Sequence, residues 1–225
     1  MENFNNYKFR SSQIYRLLTQ PKSNKDKLAG KMSATTEGYL LELAIEAIYG
    51  RAKEIESDAM SKGIEQEQSA IELLSEIHQT EYTKNEMQLE NDYITGTPDI
   101  LEPLIDIKIP KDIFSHCGKS GIPKVYEYQL YCYMILTGQT KGYIAYILAN
   151  SPEWLIEKEF NKKSYYKSED TWQELEETIR KQHIFDDIPL NKRIKIFDLD
   201  YKKDVEYEIY NAVEKARNYM NNLTI

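Results

Sequence analysis

Apolar and polar positions alternate along this chain with two different periods. Through EGYLLELAIEAIYG, the residues Leu40, Leu41, Ala44, Ile45 and Ile48 follow the helical period, and Gly50 ends the run. Ser33 or Thr35 stands where such a helix is capped. A second periodic stretch from about Met60 to Gln79 places Ile64, Ala70, Ile71, Leu74 and Ile77 inward. Ahead of both, Ser12 reads as the N-cap of a short helix through QIYRLLT that stops before Pro21. The basic segment from Pro21 to Lys31 reads as a loop.

Beyond Gln79 the period shortens. EYTKNEMQLENDYITGTPDILEPLIDIKIP predicts strands near 81–86, 92–96 and 104–109, with Gly96-Thr97-Pro98 breaking the meander. A polar loop (110–124) follows, then a helix through VYEYQLYCYMILTG and a buried strand, KGYIAYILAN. Strand, helix, strand in succession requires a crossover. The tail predicts a helix near 169–183, a strand near 192–199 and an amphipathic helix from about 204 to 221. No linker interrupts the 225 residues, so a single domain of α/β class, a mixed sheet flanked by helices, is expected.

Composition narrows the classes. An apolar fraction of 41% excludes a disordered chain, and two cysteines, Cys117 and Cys132, exclude a disulfide scaffold. No apolar run approaches the roughly 20 residues of a membrane span, and MENFNNYKFRSS lacks the apolar stretch of a signal peptide, so no membrane and a cytoplasmic location are expected. The net charge of −8 argues against a general nucleic-acid coat but leaves room for a local basic groove.

Several tempting features fail on chemistry. Gly118-Lys119-Ser120 ends like a phosphate loop, but the position five residues before Gly118 is Ile113 rather than glycine. His78, His116 and His183 lack the spacing of a metal-binding helix, although His116 follows the acidic cluster closely enough to approach a phosphate.

The informative cluster is Thr95-Gly96-Thr97-Pro98-Asp99-Ile100 followed by Leu104-Ile105-Asp106-Ile107-Lys108. Asp106 and Lys108 alternate along an apolar strand and share one face, and the Gly-Thr-Pro turn can bring Asp99 beside Asp106. Two carboxylates suit a hard divalent cation, and a lysine beside them suits a developing negative charge or a water to be activated. The triplet alone reads equally well as a structural ion pair, and a second copy exists in Asp200-Tyr201-Lys202, at the end of an apolar strand. Context lies on both sides. Glu67 falls one helical turn before Ile71 and faces inward, whereas Glu65 faces water; Gln129 and Tyr133 share one helix face. A core-facing glutamine must find partners, either in a site or in the backbone.

Glycine-helix-glutamate, Gly-Thr-Pro-Asp, Asp-Ile-Lys and Gln-x-x-x-Tyr, in this order, resemble the PD-(D/E)XK nuclease superfamily. Within it the likeness is to the phage lambda exonuclease and YqaJ-type viral recombinase branch, from about Ser11 to Asn150. The resemblance implies a restriction-endonuclease-like core and Mg²⁺-dependent hydrolysis of DNA, with Mn²⁺ able to substitute. It gives Asp99 and Asp106 as metal ligands, joined by the Ile107 backbone carbonyl and Glu67. Lys108 matches the catalytic lysine, and Gln129 the glutamine that orients lysine or substrate. Ser12 resembles the serine that meets a terminal phosphate, and Arg10 stands near the family's phosphate-binding arginine. Aspartate at 106 is one methylene shorter than the glutamate of many relatives. Lys22, Lys25, Lys27 and Lys31 are further candidates for phosphate contact. The likeness also implies DNA as partner, a single-strand annealing protein as a second, and a ring-shaped trimer. The expected function is a phage-type exonuclease acting on double-stranded DNA ends in recombination. The alternatives are a non-cleaving DNA- or protein-binding module of the same fold, and an endonuclease with the same site.

Overall fold

The computed structural model describes residues 3–53 and 57–224. Its strands form two three-stranded sheets rather than one continuous sheet. In the first, β1 (Phe9–Arg10) runs parallel to β3 (Ile94–Gly96), and β2 (Leu89–Glu90) pairs with β3 antiparallel. In the second, β5 (Lys141–Ile147) is central, with β4 (Ile105–Lys108) parallel on one side and β6 (Ile194–Asp200) antiparallel on the other. A single antiparallel bridge, Ile100 with Ile105, ties the segment after β3 to the outer edge of β4.

The helices in chain order are α1 (Asn24–Leu28), α2 (Ala34–Tyr49), α3 (Asp58–His78), α4 (Ile113–Cys117), α5 (Lys124–Thr137), α6 (Glu153–Ser164), α7 (Trp172–His183), α8 (Leu190–Arg193) and α9 (Lys203–Asn221). α5 makes the expected crossover from β4 to β5 and stops where Gly138 turns left-handed, at φ +72°. Ser33 caps α2, its side chain accepting from the Thr36 N–H.

Each face of the second sheet has its own core. Ile105 and Ile107 on β4, with Ala145 and Ile147 on β5, pack against Ala70, Ile71 and Leu74 of α3. Ile144 and Tyr146 belong to the larger core built with Leu130 and Met134 of α5, Leu40 of α2, and Ile209 and Val213 of α9. The pleat therefore sends Ile105 and Ile107 toward α3 and their alternate neighbours Asp106 and Lys108 to the α5 side.

Several expectations change. The stretch 81–86 is not a strand: its backbone bonds singly, Tyr82 N to Ser75 Oγ and Asn85 N to the Asp99 carbonyl, without forming a ladder. The loop of 21–31 contains α1, capped by Ser23, and the loop of 110–124 contains α4, closed by an Asp112–Ser115 capping box. In α3, Ile64 points to solvent (73% exposed), because the helix buries a narrower stripe along 70, 71 and 74. Leu41 and Ile48 of α2 are likewise exposed, and Tyr39 takes the inward place. Ser12 is not a cap. The segment Ser11–Leu17 is a 3₁₀ helix preceded by Arg10, and the buried serine is Ser11.

Candidate active site

The side chains of Asp106 and Lys108 meet on the α5 face of β4, with Nζ 2.7 Å from Asp106 Oδ2. Asp106 is 1% exposed. Its other oxygen, Oδ1, accepts from Gln129 Nε2 at 3.2 Å, and the same amide donates to the Tyr133 hydroxyl at 2.9 Å. Gln129 therefore holds the carboxylate directly, where the resemblance gives it the lysine or the substrate. Oδ2 faces the Lys108 ammonium, its one close polar neighbour among the described residues. The Lys108 ammonium also lies 4.7 Å from the centre of the Tyr126 ring. Tyr126 stands three residues before Gln129, so its place on this helix face was open to sequence reasoning.

Asp99 comes to the same place from the strand edge. Along the parallel β4–β5 ladder, Tyr143 N donates to the Leu104 carbonyl, so Asp106 and Lys108 bond to β5 while Ile105 and Ile107 turn their backbone outward. Ile105 spends both groups on Ile100, and the Ile107 N–H donates to Asp99 Oδ2 at 2.5 Å. Among the described residues the Ile107 carbonyl, on this same open edge, accepts no hydrogen bond. Carboxylate and carbonyl thus sit side by side.

The electrostatics show a site short of positive charge. Burial first, and then the Asp106 charge, raise the Asp99 carboxyl to about 8, against the opposing pull of Lys108 and the Ile107 N–H. Burial also raises Asp106, with Lys108 pulling it back. For Lys108, burial favours the neutral amine, but the Asp106 charge and hydrogen bond outweigh it and hold the group above its ordinary value.

Glu67 is half-buried and faces the site, and its charge adds to the upward pressure on Asp99; Glu65 is exposed and accepts from Trp154 Nε1 at 2.7 Å. Glu67 comes from α3, on the opposite face of β4 from Asp106, and it is paired with Lys84 at 3.3 Å. Nothing in the sequence pointed to Lys84, which lies in an irregular segment.

Among the described residues, no three His, Cys, Asp or Glu side chains gather into a ready-made metal cage. The donors present nevertheless fit Mg²⁺, which keeps several waters and is bound through one or two carboxylates and substrate phosphates. The unused Ile107 carbonyl and the two buried carboxyls, both held above their ordinary pKa by burial that too little positive charge offsets, are the observations that carry this fit.

The remaining candidates lie around this centre. Ser12 and Arg10 are exposed where β1 meets the 3₁₀ helix, and Arg10 is in register with Thr95 of β3. Ser11, overlooked in the sequence, donates to the Thr95 carbonyl at 2.9 Å. Gly96 is required here, because a Cβ would lie 2.6 Å from Ser11 Oγ and 2.7 Å from the Tyr133 ring. His116 is buried and bonded to the Lys192 carbonyl, which removes it from phosphate contact. Of the basic loop, Lys31 pairs with Asp26. Among the described residues, no helix is long and apolar enough to cross a membrane.

No protein-family model matches the sequence, and no curated protein matches it. Solved structures do. A phage-related exonuclease from Haemophilus somnus 129PT superposes with a TM-score of 0.76 at 27% identity, over 96% of this chain and 94% of that one. The alkaline exonuclease LHK-Exo from Laribacter hongkongensis superposes at 0.62 and 16% identity, over 96% and 89% of the two chains. Its complex with dAMP gives 0.59 and 18%, over 95% and 88%. In fold and length this chain is similar to these exonucleases, in keeping with its resemblance to the phage-type branch of the PD-(D/E)XK superfamily.

Proposed function

We propose that this protein is a metal-dependent deoxyribonuclease of the phage exonuclease type, acting on the ends of double-stranded DNA. One observation carries the reading. A buried carboxylate, a lysine, a second carboxylate and a free peptide carbonyl converge at one strand edge, in a chain that aligns almost end to end with a phage-related exonuclease.

Asp99, Asp106 and the Ile107 carbonyl would hold Mg²⁺, with Glu67 as a further carboxylate. Bound there, the ion supplies a coordinated water of lowered pKa and charge stabilisation at the phosphoryl group. The chain's own groups do the rest. Gln129 fixes the Asp106 carboxylate through Oδ1 and turns Oδ2 toward Lys108. Lys108, held protonated by Asp106, offers a fixed positive charge to the developing anion rather than a base to the water. The Ile107 N–H orients Asp99.

The experiment compares linear with covalently closed circular DNA, in Mg²⁺ and in chelator. Degradation of the linear form alone, and only with metal, is expected. Cutting of the closed circle would replace the exonuclease with an endonuclease, and full activity in chelator would remove the metal. The Asp106–Lys108 ion pair is also what a non-cleaving module of this fold would contain. That second reading requires DNA or protein binding with no hydrolysis in Mg²⁺ or Mn²⁺. A partner annealing protein and a trimeric ring, both implied by the resemblance, are tested by co-purification and by mass in solution.

A further inference from the structure

A cavity of about 520 Å³ opens between the start of α3, the connector that follows β4, and α6. Lysines 62, 111, 158, 162 and 163 line it. Lys158 is neutralised by Asp58 at 2.6 Å, and Lys163 by Glu159 at 2.5 Å. His183 also borders the cavity, but both ring nitrogens are engaged, with Ser151 Oγ at 2.8 Å and Glu159 Oε2 at 2.9 Å. Among the described residues, that leaves Lys62, Lys111 and Lys162 with no carboxylate in ion-pair contact. In a protein of net charge −8, five lysines against two carboxylates, Asp58 and Glu159, thus line one hollow, and the Asp112 charge reaches Lys62 and Lys111 only from beyond ion-pair contact.

Lys62 shows that the hollow is built. It is 1% exposed, and its ammonium donates to the carbonyls of Lys111 at 3.2 Å and Pro110 at 3.5 Å. The helix that carries Glu67 is thereby fastened to the chain leaving β4. Burial lowers the Lys62 pKa to about 8, and the charge of Asp112 offsets that only in part. An anion in the cavity would complete that partial compensation.

The position is also informative. Lys111 follows Lys108 by three residues, a reach of at most about 11 Å of extended chain. Lys62 precedes Glu67 by five residues of α3, about 7.5 Å along the axis. Both elements of the reaction centre therefore continue directly into the cavity, within about three nucleotides at 3.4 Å of rise each.

We infer that this cavity is a second phosphate subsite, which holds a backbone phosphate of the DNA strand a few nucleotides from the reaction centre. The inference rests on the nuclease reading above. It explains how an acidic chain with two carboxylates at its centre retains a polyanion: the electrostatic hold is placed beside the chemistry rather than in it.

The test uses the full chain with Lys111→Ala and Lys162→Ala combined, both exposed positions. Lys62 is left intact because it also ties two backbone carbonyls. Affinity for a short duplex is measured in Ca²⁺ across a salt series, alongside steady-state cleavage in Mg²⁺. The slope of log K against log salt should fall by about 0.9 for each phosphate that the protein no longer neutralises. KM should rise several-fold while kcat at saturating DNA stays within twofold, and Lys111→Arg with Lys162→Arg should restore the slope. A parallel arm measures the melting-temperature rise given by inorganic phosphate over chloride at equal ionic strength. Loss of that rise together with the slope change supports the subsite. Loss of the rise with an unchanged slope would mean a site for free phosphate, and overturns the DNA assignment. An unchanged slope and an unchanged rise overturn the subsite altogether. If the unaltered protein neither binds nor cuts DNA, the nuclease reading fails and this assignment with it, and the phosphate arm then reports whether the hollow is an anion site of another kind.

Discussion

Asp106-Ile107-Lys108 and Asp200-Tyr201-Lys202 share one spacing and lie in one sheet, yet their surroundings differ in every respect that chemistry needs. The first lies within β4, where its acid is buried, its lysine is 20% exposed at the side chain, and a glutamine from α5 grips the carboxylate. The second begins at the last residue of β6, in register with Lys141 at the start of β5, and its acid and lysine are exposed. A carboxylate in water gains little from a nearby lysine. A carboxylate removed from water must be compensated, and the groups that compensate it make up the site. What separates the copies is the apolar flank that buries one of them.

The sharpest way to break this comparison is to remove each lysine in turn. Lys108→Met should lower turnover by about 10²-fold or more, with DNA affinity in Ca²⁺ changed little, whereas Lys202→Met should leave both unchanged. Stranding Asp106 costs stability on the scale of about 3–5 kcal/mol if its charge persists, so melting temperature is measured in parallel. A Lys108→Met protein that is folded and still cuts at the original rate would remove the lysine from the mechanism.

Asp99→Asn addresses the carboxylates. An acid whose pKa is raised on folding binds more protons in the native state, so its contribution to stability falls as pH rises from the unfolded value toward about 8. In metal-free protein, asparagine should therefore stabilise at pH 8, by roughly 0.5–2 kcal/mol, and give no gain near pH 4, whereas in Mg²⁺ it should abolish cleavage. Chemical denaturation at both pH values reads this out. Destabilisation at pH 8 would show that the Asp99 charge holds the fold together.

Glu67→Gln should lose most activity and Glu65→Gln little, because only Glu67 faces Asp99. The opposite result would reverse the helix phase. The smallest effect is expected at the exposed copy: Asp200→Asn should stay within about 0.5 kcal/mol of the parent in a denaturant titration. A larger change would mean that the end of β6 does more than meet solvent.

The contrast also explains what was legible in the sequence. The burial of β4, the crossover helix α5 with its stop at Gly138, the strand β5 and the inward phase of Glu67 all follow from local periodicity, and all are found. The four motifs in order carried the family likeness because each is local. What could not be read depends on contacts far along the chain. β1 has two residues and exists only because β3 lies beside it. The buried serine is Ser11, one residue from the expected position, because the chain enters a 3₁₀ helix instead of a capped α-helix. α6 is a polar helix whose first two residues, Glu153 and Trp154, meet partners on α7 and α3. The Lys84–Glu67 pair joins an irregular segment to a helix, and no period marks it.

The bond from the Ile107 N–H to Asp99 has a second consequence, for solubility. β4 is an outer strand of its sheet, and a bare outer strand invites pairing with another molecule. Ile105 is already occupied by Ile100, and at Ile107 the Asp99 carboxyl takes the donor that an intruding strand would need. Replacing Asp99 by alanine would free that donor on a strand whose neighbours are isoleucines. The group proposed to hold the metal would then also be the one that keeps this edge from pairing.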